Sequence, residues 1–238
     1  MKNLFLILFG IFISVAGFTQ ITAGKIVCER RTNLEKKITE GRMKQMINET
    51  NKIRTEQFEL FFNDTCSIFK PILSDEADQL AWTTSKNTIL QNFTTNEKLS
   101  ILSVMGQPIY VKDENTKRNW QITENKRKIA NYDCYKAIWQ KNDTTRIYAW
   151  YTLDIEPSVG PEGFNGLPGA ILGLATEDGG IIYFAKTVEE IIPKKEMFTI
   201  DTLKKEVFTM EQLKTKIEKD FGNSPRGMRW FSDMFRWL

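Results

Sequence analysis

Asp154, Glu156 and Glu162 place three carboxylates within nine residues, and Trp150 and Tyr151 stand just before them. Two carboxylates held across a groove can act as acid and base on a glycosidic bond, if apolar neighbours raise the pKa of one of them. Trp150, Tyr151 and Phe164 would then supply the rings that stack on a sugar. The same oxygens suit a hard cation such as calcium, which takes six or more. Solvated acids on a surface loop are the plainer reading, and the preferred one.

Other chemistry is thinly represented. The chain has no histidine, which removes His-based triads, His zinc sites and His acid–base catalysis together. It has no Gly-x-Ser-x-Gly nucleophile motif and no metal-ligand spacing, so no metal or cofactor is expected. Met43, Met46 and Cys28 are soft ligands of the kind Cu(I) prefers. No Met-x-x-Met run is repeated, so core packing is the better account of the two methionines. Cys28, Cys66 and Cys134 leave three possible pairings in an oxidising compartment. Burial as free thiols on strands is slightly preferred.

The acids lie beside residues 164–174, FNGLPGAILGL. Glycine reaches backbone angles closed to other residues, and Pro168 fixes its own φ and biases Leu167 away from helix. Gly166, Leu167, Pro168 and Gly169 therefore predict a rigid turn, feeding a buried strand that starts at Ala170 and Ile171. Such a turn can offer N–H groups to an anion. The neighbouring acids, and the lack of Lys or Arg between Gly160 and Gly180, favour an architectural corner instead.

The elements around this loop read mainly as strands. Short aromatic and β-branched runs at 21–31, 58–63, 65–72, 88–94, 99–104, 109–112, 120–123, 132–140, 146–154 and 180–186 are separated by turn signals. Residues 34–54 carry Ile38, Met43, Met46 and Ile47 near helical spacing and predict a weakly amphipathic helix interrupted by Gly41. Residues 209–221 predict a firmer helix: Thr209 and Gln212 form a capping box, and Leu213, Ile217 and Phe221 form an apolar stripe. The expected fold is α+β, a curved, mostly antiparallel sheet (a half-barrel-like meander) with one or two packed helices.

The ends are distinctive. Residues 1–20 show a basic start, an apolar run and then small residues, as in a secretory signal peptide, with cleavage near Phe18 or Ile21. The rest is expected to be one domain over 21–222, with no transmembrane span. A net charge of +3 is too balanced to indicate nucleic acid as a partner. Residues 223–238 are rich in aromatic and basic side chains. As a helix, Trp230, Met234 and Trp237 would share a face, suited to docking on the protein's own sheet or, second, to a membrane surface or partner groove.

One continuous stretch carries a resemblance: Ala149-Trp150-Tyr151-Thr152, Asp154-Ile155, Gly160-Pro161, Phe164 and Gly166 to Ile171. It resembles the GLPGLI family of exported Bacteroidetes proteins. Looser matches at Lys25-Ile26-Val27, 88–94 and Tyr132 to Ala137 extend the likeness over most of 21–190. Asp154 stands where that family usually has Glu, Glu156 where it has Pro, Glu162-Gly163 where aromatic-Lys is common, and Ala170 for the second Leu. The resemblance implies export and a β-rich domain, without a transferable reaction.

The expectation is therefore an exported protein of the periplasm or envelope of a Gram-negative bacterium. It would be a non-catalytic module that binds a small apolar ligand or an envelope or outer-membrane protein. A carboxylate-dependent hydrolase using Asp154, Glu156 and Glu162 is the alternative, and a structural or assembly protein is the third reading.

Overall fold

The computed structural model describes residues 20–39, 41–73, 80–104, 107–143 and 145–221. The strands are β1 (Gly24–Asn33), β2 (Ile53–Phe62), β3 (Cys66–Pro71), β4 (Thr88–Asn92), β5 (Glu97–Val104) and β6 (Gln107–Glu114). They continue with β7 (Trp120–Ile129), β8 (Tyr132–Asn142), β9 (Thr145–Thr152), β10 (Ala170–Thr176), β11 (Ile181–Glu190) and the two-residue β12 (Val207–Phe208). All twelve join one sheet in the order β12-β6-β5-β4-β3-β2-β1-β11-β10-β9-β8-β7. Two meanders, β1 to β6 and β7 to β11, are zipped together by antiparallel pairing of β1 with β11. Among these strands only β12 pairs in parallel, with β6.

Connectivity forces the sheet to curl. Laid flat, the eleven strands from β6 to β7 would span about 48 Å at the usual interstrand spacing. Residues 115–119 alone join those two strands, and so short a link reaches only about 20 Å. The two edges must therefore approach each other. No β6–β7 ladder forms among the described residues, so the curl is open along that seam.

Helix contributes less than the sequence suggests, and this overturns the α+β expectation. The predicted helix at 34–54 reduces to two four-residue turns, α1 (Leu34–Lys37) and α2 (Arg42–Gln45). Asn33 caps α1 through Oδ1, Gly41 interrupts the path at φ 82°, and residues 53–54 are drawn into β2. Of the described residues in that stretch, only Ile53 and Arg54 pair with β1. Met46 is exposed at 54 %, so core packing does not account for it. The side chain of Met43 lies outside the described residues.

The one longer helix among the described residues, α3 (Met210–Phe221), has the predicted capping box: Thr209 N–H donates to Gln212 Oε1, and Gln212 N–H to Thr209 Oγ1. Leu213 and Ile217 pack on Leu102 of β5 and Val111 of β6. The helix thus shields one end of the sheet and does not form a second layer. The protein is an all-β fold built on one large curled sheet. The predicted leader and the aromatic tail at 223–238 lie outside the described residues.

The inside of the curl is the core. Ile26, Phe58, Leu60, Phe62 and Phe69 from β1 to β3 face Ile147, Ala149 and Tyr183 from β9 and β11. The segment 153–169, which joins β9 to β10, fills much of that interior, with Ile155, Val159, Phe164 and Leu167 all buried. The outer face is charged: Glu59 bridges Lys25 at 3.3 Å and Lys70 at 3.2 Å. Cys28, Cys66 and Cys134 lie on β1, β3 and β8 as free thiols. Burial pushes the Cys28 thiol up to about 12. No helix among the described residues is long and apolar enough to cross a membrane.

Candidate functional site

The three candidate acids do not share a groove. Asp154 and Glu156 are exposed, on either side of the buried Ile155, which bridges in parallel to Ile21. Glu162 is fully buried. The aromatic candidates divide for a simpler reason, because adjacent residues on a strand point to opposite faces. Tyr151 points inward near Tyr135. Trp150 lies beneath the guanidinium of Arg127, 5.0 Å away. Phe164 is wholly inside, near Trp120 and Trp139.

Glu162 belongs to a buried polar network. Its backbone takes φ 54°, uncommon for a residue with a Cβ. The side chain accepts hydrogen bonds from Tyr183 Oη at 2.5 Å and Asn87 Nδ2 at 3.3 Å. Arg30 Nη1 lies 3.8 Å away, and Arg30 also donates from Nη2 to Glu56 at 2.5 Å. The guanidinium lies over the Phe58 ring at 4.7 Å. Burial pushes the Glu162 carboxyl above the usual range, against the pull of Arg30, Tyr183 and Asn87. Burial also acts on Glu56, but Arg30, Thr84 and Arg54 outweigh it and hold that carboxyl below its ordinary value.

The two shifts have opposite pH signatures. A raised carboxyl binds its proton more tightly in the folded state, so its contribution is lost as pH rises from the unfolded value through the folded one. The depressed Glu56 contributes above its unfolded value and loses that contribution as pH falls. Urea unfolding followed as pH rises above the ordinary glutamate value should therefore show a declining contribution in the wild type that Glu162→Gln removes. An unchanged slope in the variant would show that Glu162 is not the group responsible.

A cleft of about 330 Å³ opens at the seam. The linker forms one wall with Asn115, Thr116, Lys117 and Arg118, the β4–β5 turn supplies Phe93 and Asn96, and the β9–β10 segment supplies Ser158, Asn165 and Gly166. Each part is fastened. Asn115 Oδ1 accepts from Gln91 Nε2 at 2.8 Å, and Asn115 Nδ2 donates to the Asn92 carbonyl at 3.2 Å. Trp120 Nε1 donates to the Asn165 carbonyl at 2.9 Å, and Gly166 N–H donates to Ser158 Oγ at 2.7 Å. Gly166 sits at φ 90° and Gly169 at φ 140°, the backbone the Gly/Pro turn was expected to need. The predicted turn reaches the cleft through Gly166. Lys117 and Arg118 carried no signal in the sequence, because they come to Gly166 only when the edges of the sheet meet.

These features define a class by fold: an open, curled, antiparallel sheet with its interior filled by a Gly/Pro-bearing segment. Within it, residues 139–173 match the model of a family of proteins of unknown function, Porph_ging. Crystal structures of PNGF-II in two crystal forms are similar, with TM-score 0.55 and 16 % identity over 82 % of this chain and 32 % of theirs. The chain thus spans about a third of the PNGF-II length, and at that identity the likeness concerns the fold. A crystal structure of an uncharacterized conserved protein from Thermus thermophilus aligns with TM-score 0.41 and 6 % identity, covering 78 % of this chain and 90 % of that one. No curated protein matches the sequence.

Proposed function

We propose that the chain is a non-catalytic ligand-binding module that holds a small polar ligand in the seam cleft. The observation that carries this reading is the cleft lining, to which residues from three separate segments contribute around one opening. Asn96, Asn115, Thr116, Ser158 and Asn165 can both donate and accept hydrogen bonds, and Phe93 gives an apolar wall, the mix typical of small-molecule sites. An elongated apolar ligand inside the curl has less support, because Phe164, Leu167 and their neighbours fill that space. The carboxylate hydrolase also loses ground: Asp154 and Glu156 face solvent, while Glu162 is enclosed by Arg30, Tyr183 and Asn87.

Native mass spectrometry of the protein recovered from its own host tests the reading. A small co-purifying adduct is expected on the wild type and not on Asn165→Trp, which fills the opening. An adduct unaffected by that substitution would place the ligand elsewhere. A bound protein in place of a small molecule would favour the assembly reading.

Export to the cell envelope as a GLPGLI-type protein is part of the proposal, resting on the leader-like residues 1–20 and on the motif at 166–171. Ile21 N–H donates to the Asp154 carbonyl and Glu156 N–H donates to the Ile21 carbonyl, each at 2.9 Å. A mature chain beginning near Phe18 keeps both bonds. The intact mass of secreted protein is expected to show that start, and cleavage inside β1 would contradict it.

A further inference from the structure

Among the described residues two arginines are buried in this interior, and only one of them has carboxylate partners there. Arg30 is 3 % exposed, stacks on Phe58 and pairs with Glu56 and Glu162. Arg118 is 7 % exposed and stacks on Phe164 at 4.1 Å and Trp139 at 5.3 Å. Among the described residues it makes one long bond, from Nη1 to the Thr116 carbonyl at 3.4 Å, and its buried Nε finds no partner. A buried, unmatched guanidinium is costly, and burial draws its pKa down to about 10.

A second cation adds to the imbalance. Lys98 is 6 % exposed and donates to Thr116 Oγ1 at 3.1 Å. Burial, then the charge of Arg118, lowers it to about 8. Asp113 acts on Lys98 in the opposite sense, but one of its oxygens accepts the Met210 N–H at 3.1 Å. Glu114, at the exposed rim, accepts from Asn96 at 3.4 Å. Lys117 completes the basic side of the cleft.

We infer that the cleft takes a small hydroxylated oxyanion, with Arg118 gripping the carboxylate, sulfate or phosphate group and Asn96, Ser158 and Asn165 reading the hydroxyls. This rests on the cleft being the binding site. Stacking on Phe164 covers a face of the guanidinium, and with Nε enclosed the two Nη groups are the donors left for an oxyanion, end-on and bidentate. An arriving anion would neutralise Arg118 and so relieve the repulsion that Arg118 exerts on Lys98.

Calorimetric titration of the full mature chain with glucuronate, glucose 6-phosphate and glucose tests this, read beside thermal unfolding. Glucuronate or glucose 6-phosphate is expected to bind and raise the Tm, with glucose at least about tenfold weaker. Arg118→Gln should weaken the anions at least about tenfold while leaving the Tm of the unliganded protein no lower, and Arg118→Lys should fall between. A drop in unliganded Tm with anion affinity unchanged would make Arg118 merely structural and overturn the inference. Glucose binding as well as glucuronate, insensitive to Arg118→Gln, would overturn it while leaving the cleft as the site. No binding by any of the three would overturn both.

Discussion

Glu56→Gln is expected to lower the unfolding free energy by about 3–5 kcal/mol, the usual cost of stripping one partner from a buried ion pair. Arg30 and Glu56 have side chains 4 % and 8 % exposed and meet at 2.5 Å. Arg54 Nε lies 3.1 Å from the other Glu56 oxygen, and Lys86 is 4.0 Å away. Glutamine keeps the shape but leaves three cations leaning on a neutral amide, with Glu162 as the remaining carboxylate near Arg30. Glu59→Gln is the control. Its partners Lys25 and Lys70 are side chains 25 % and 37 % exposed, so its loss should stay below about 1 kcal/mol. Urea unfolding measured by two probes separates the cases, and equal losses in the two variants would contradict the assignment.

Gly169→Ala is expected to be at least as damaging, at about 4 kcal/mol or more. A Cβ built on Gly169 would lie 1.9 Å from the Thr152 carbonyl oxygen and 3.0 Å from that of Ile155. Both obstacles are backbone, so no rotamer change relieves them. The φ of 140° adds strain for any residue with a Cβ. The position matters because Ala170 N–H bonds the Ile155 carbonyl and Ile171 N–H bonds the Val159 carbonyl, which pins the buried segment to β10. Gly41→Ala makes the comparison: φ is 82° but the surroundings are open, so about 1 kcal/mol is expected. If the two alanines cost the same, the close approach at Gly169 is not what holds the turn.

The strands were legible because alternation and turn residues are local signals. Phe58, Leu60 and Phe62 alternate inward on β2 as their spacing predicts, and the Thr209–Gln212 box appears where expected. Residues 34–54 misled because their helical spacing is weak: Gly41 breaks the path, and Ile53 and Arg54 at its end are drawn into β2 by pairing with β1. The curl itself was encoded in the five residues 115–119, but only knowledge of the strand order reveals that they must bridge the two edges.

The site was less legible for the same reason. Asp154, Glu156 and Glu162 are close in sequence, but the first two are exposed while Glu162 is fully buried against Tyr183 and Asn87. Lys98 and Arg118 are ordinary charges in the sequence. They become unusual only when Phe164 and Trp139 are placed against the guanidinium without an accompanying carboxylate. The Gly/Pro turn, first read as a corner with acids beside it, remains a corner, and its Gly166 end faces a basic cleft supplied by the other half of the sheet.

The most direct test is to follow the arginine side-chain Nε–Hε resonances while glucuronate is added to the ¹⁵N-labelled protein. The expected result is a saturable shift of the Arg118 signal, with Arg30 unmoved because Glu56 and Glu162 already hold it. A titration in which Arg118 stays still would contradict the account, whichever other arginine responds.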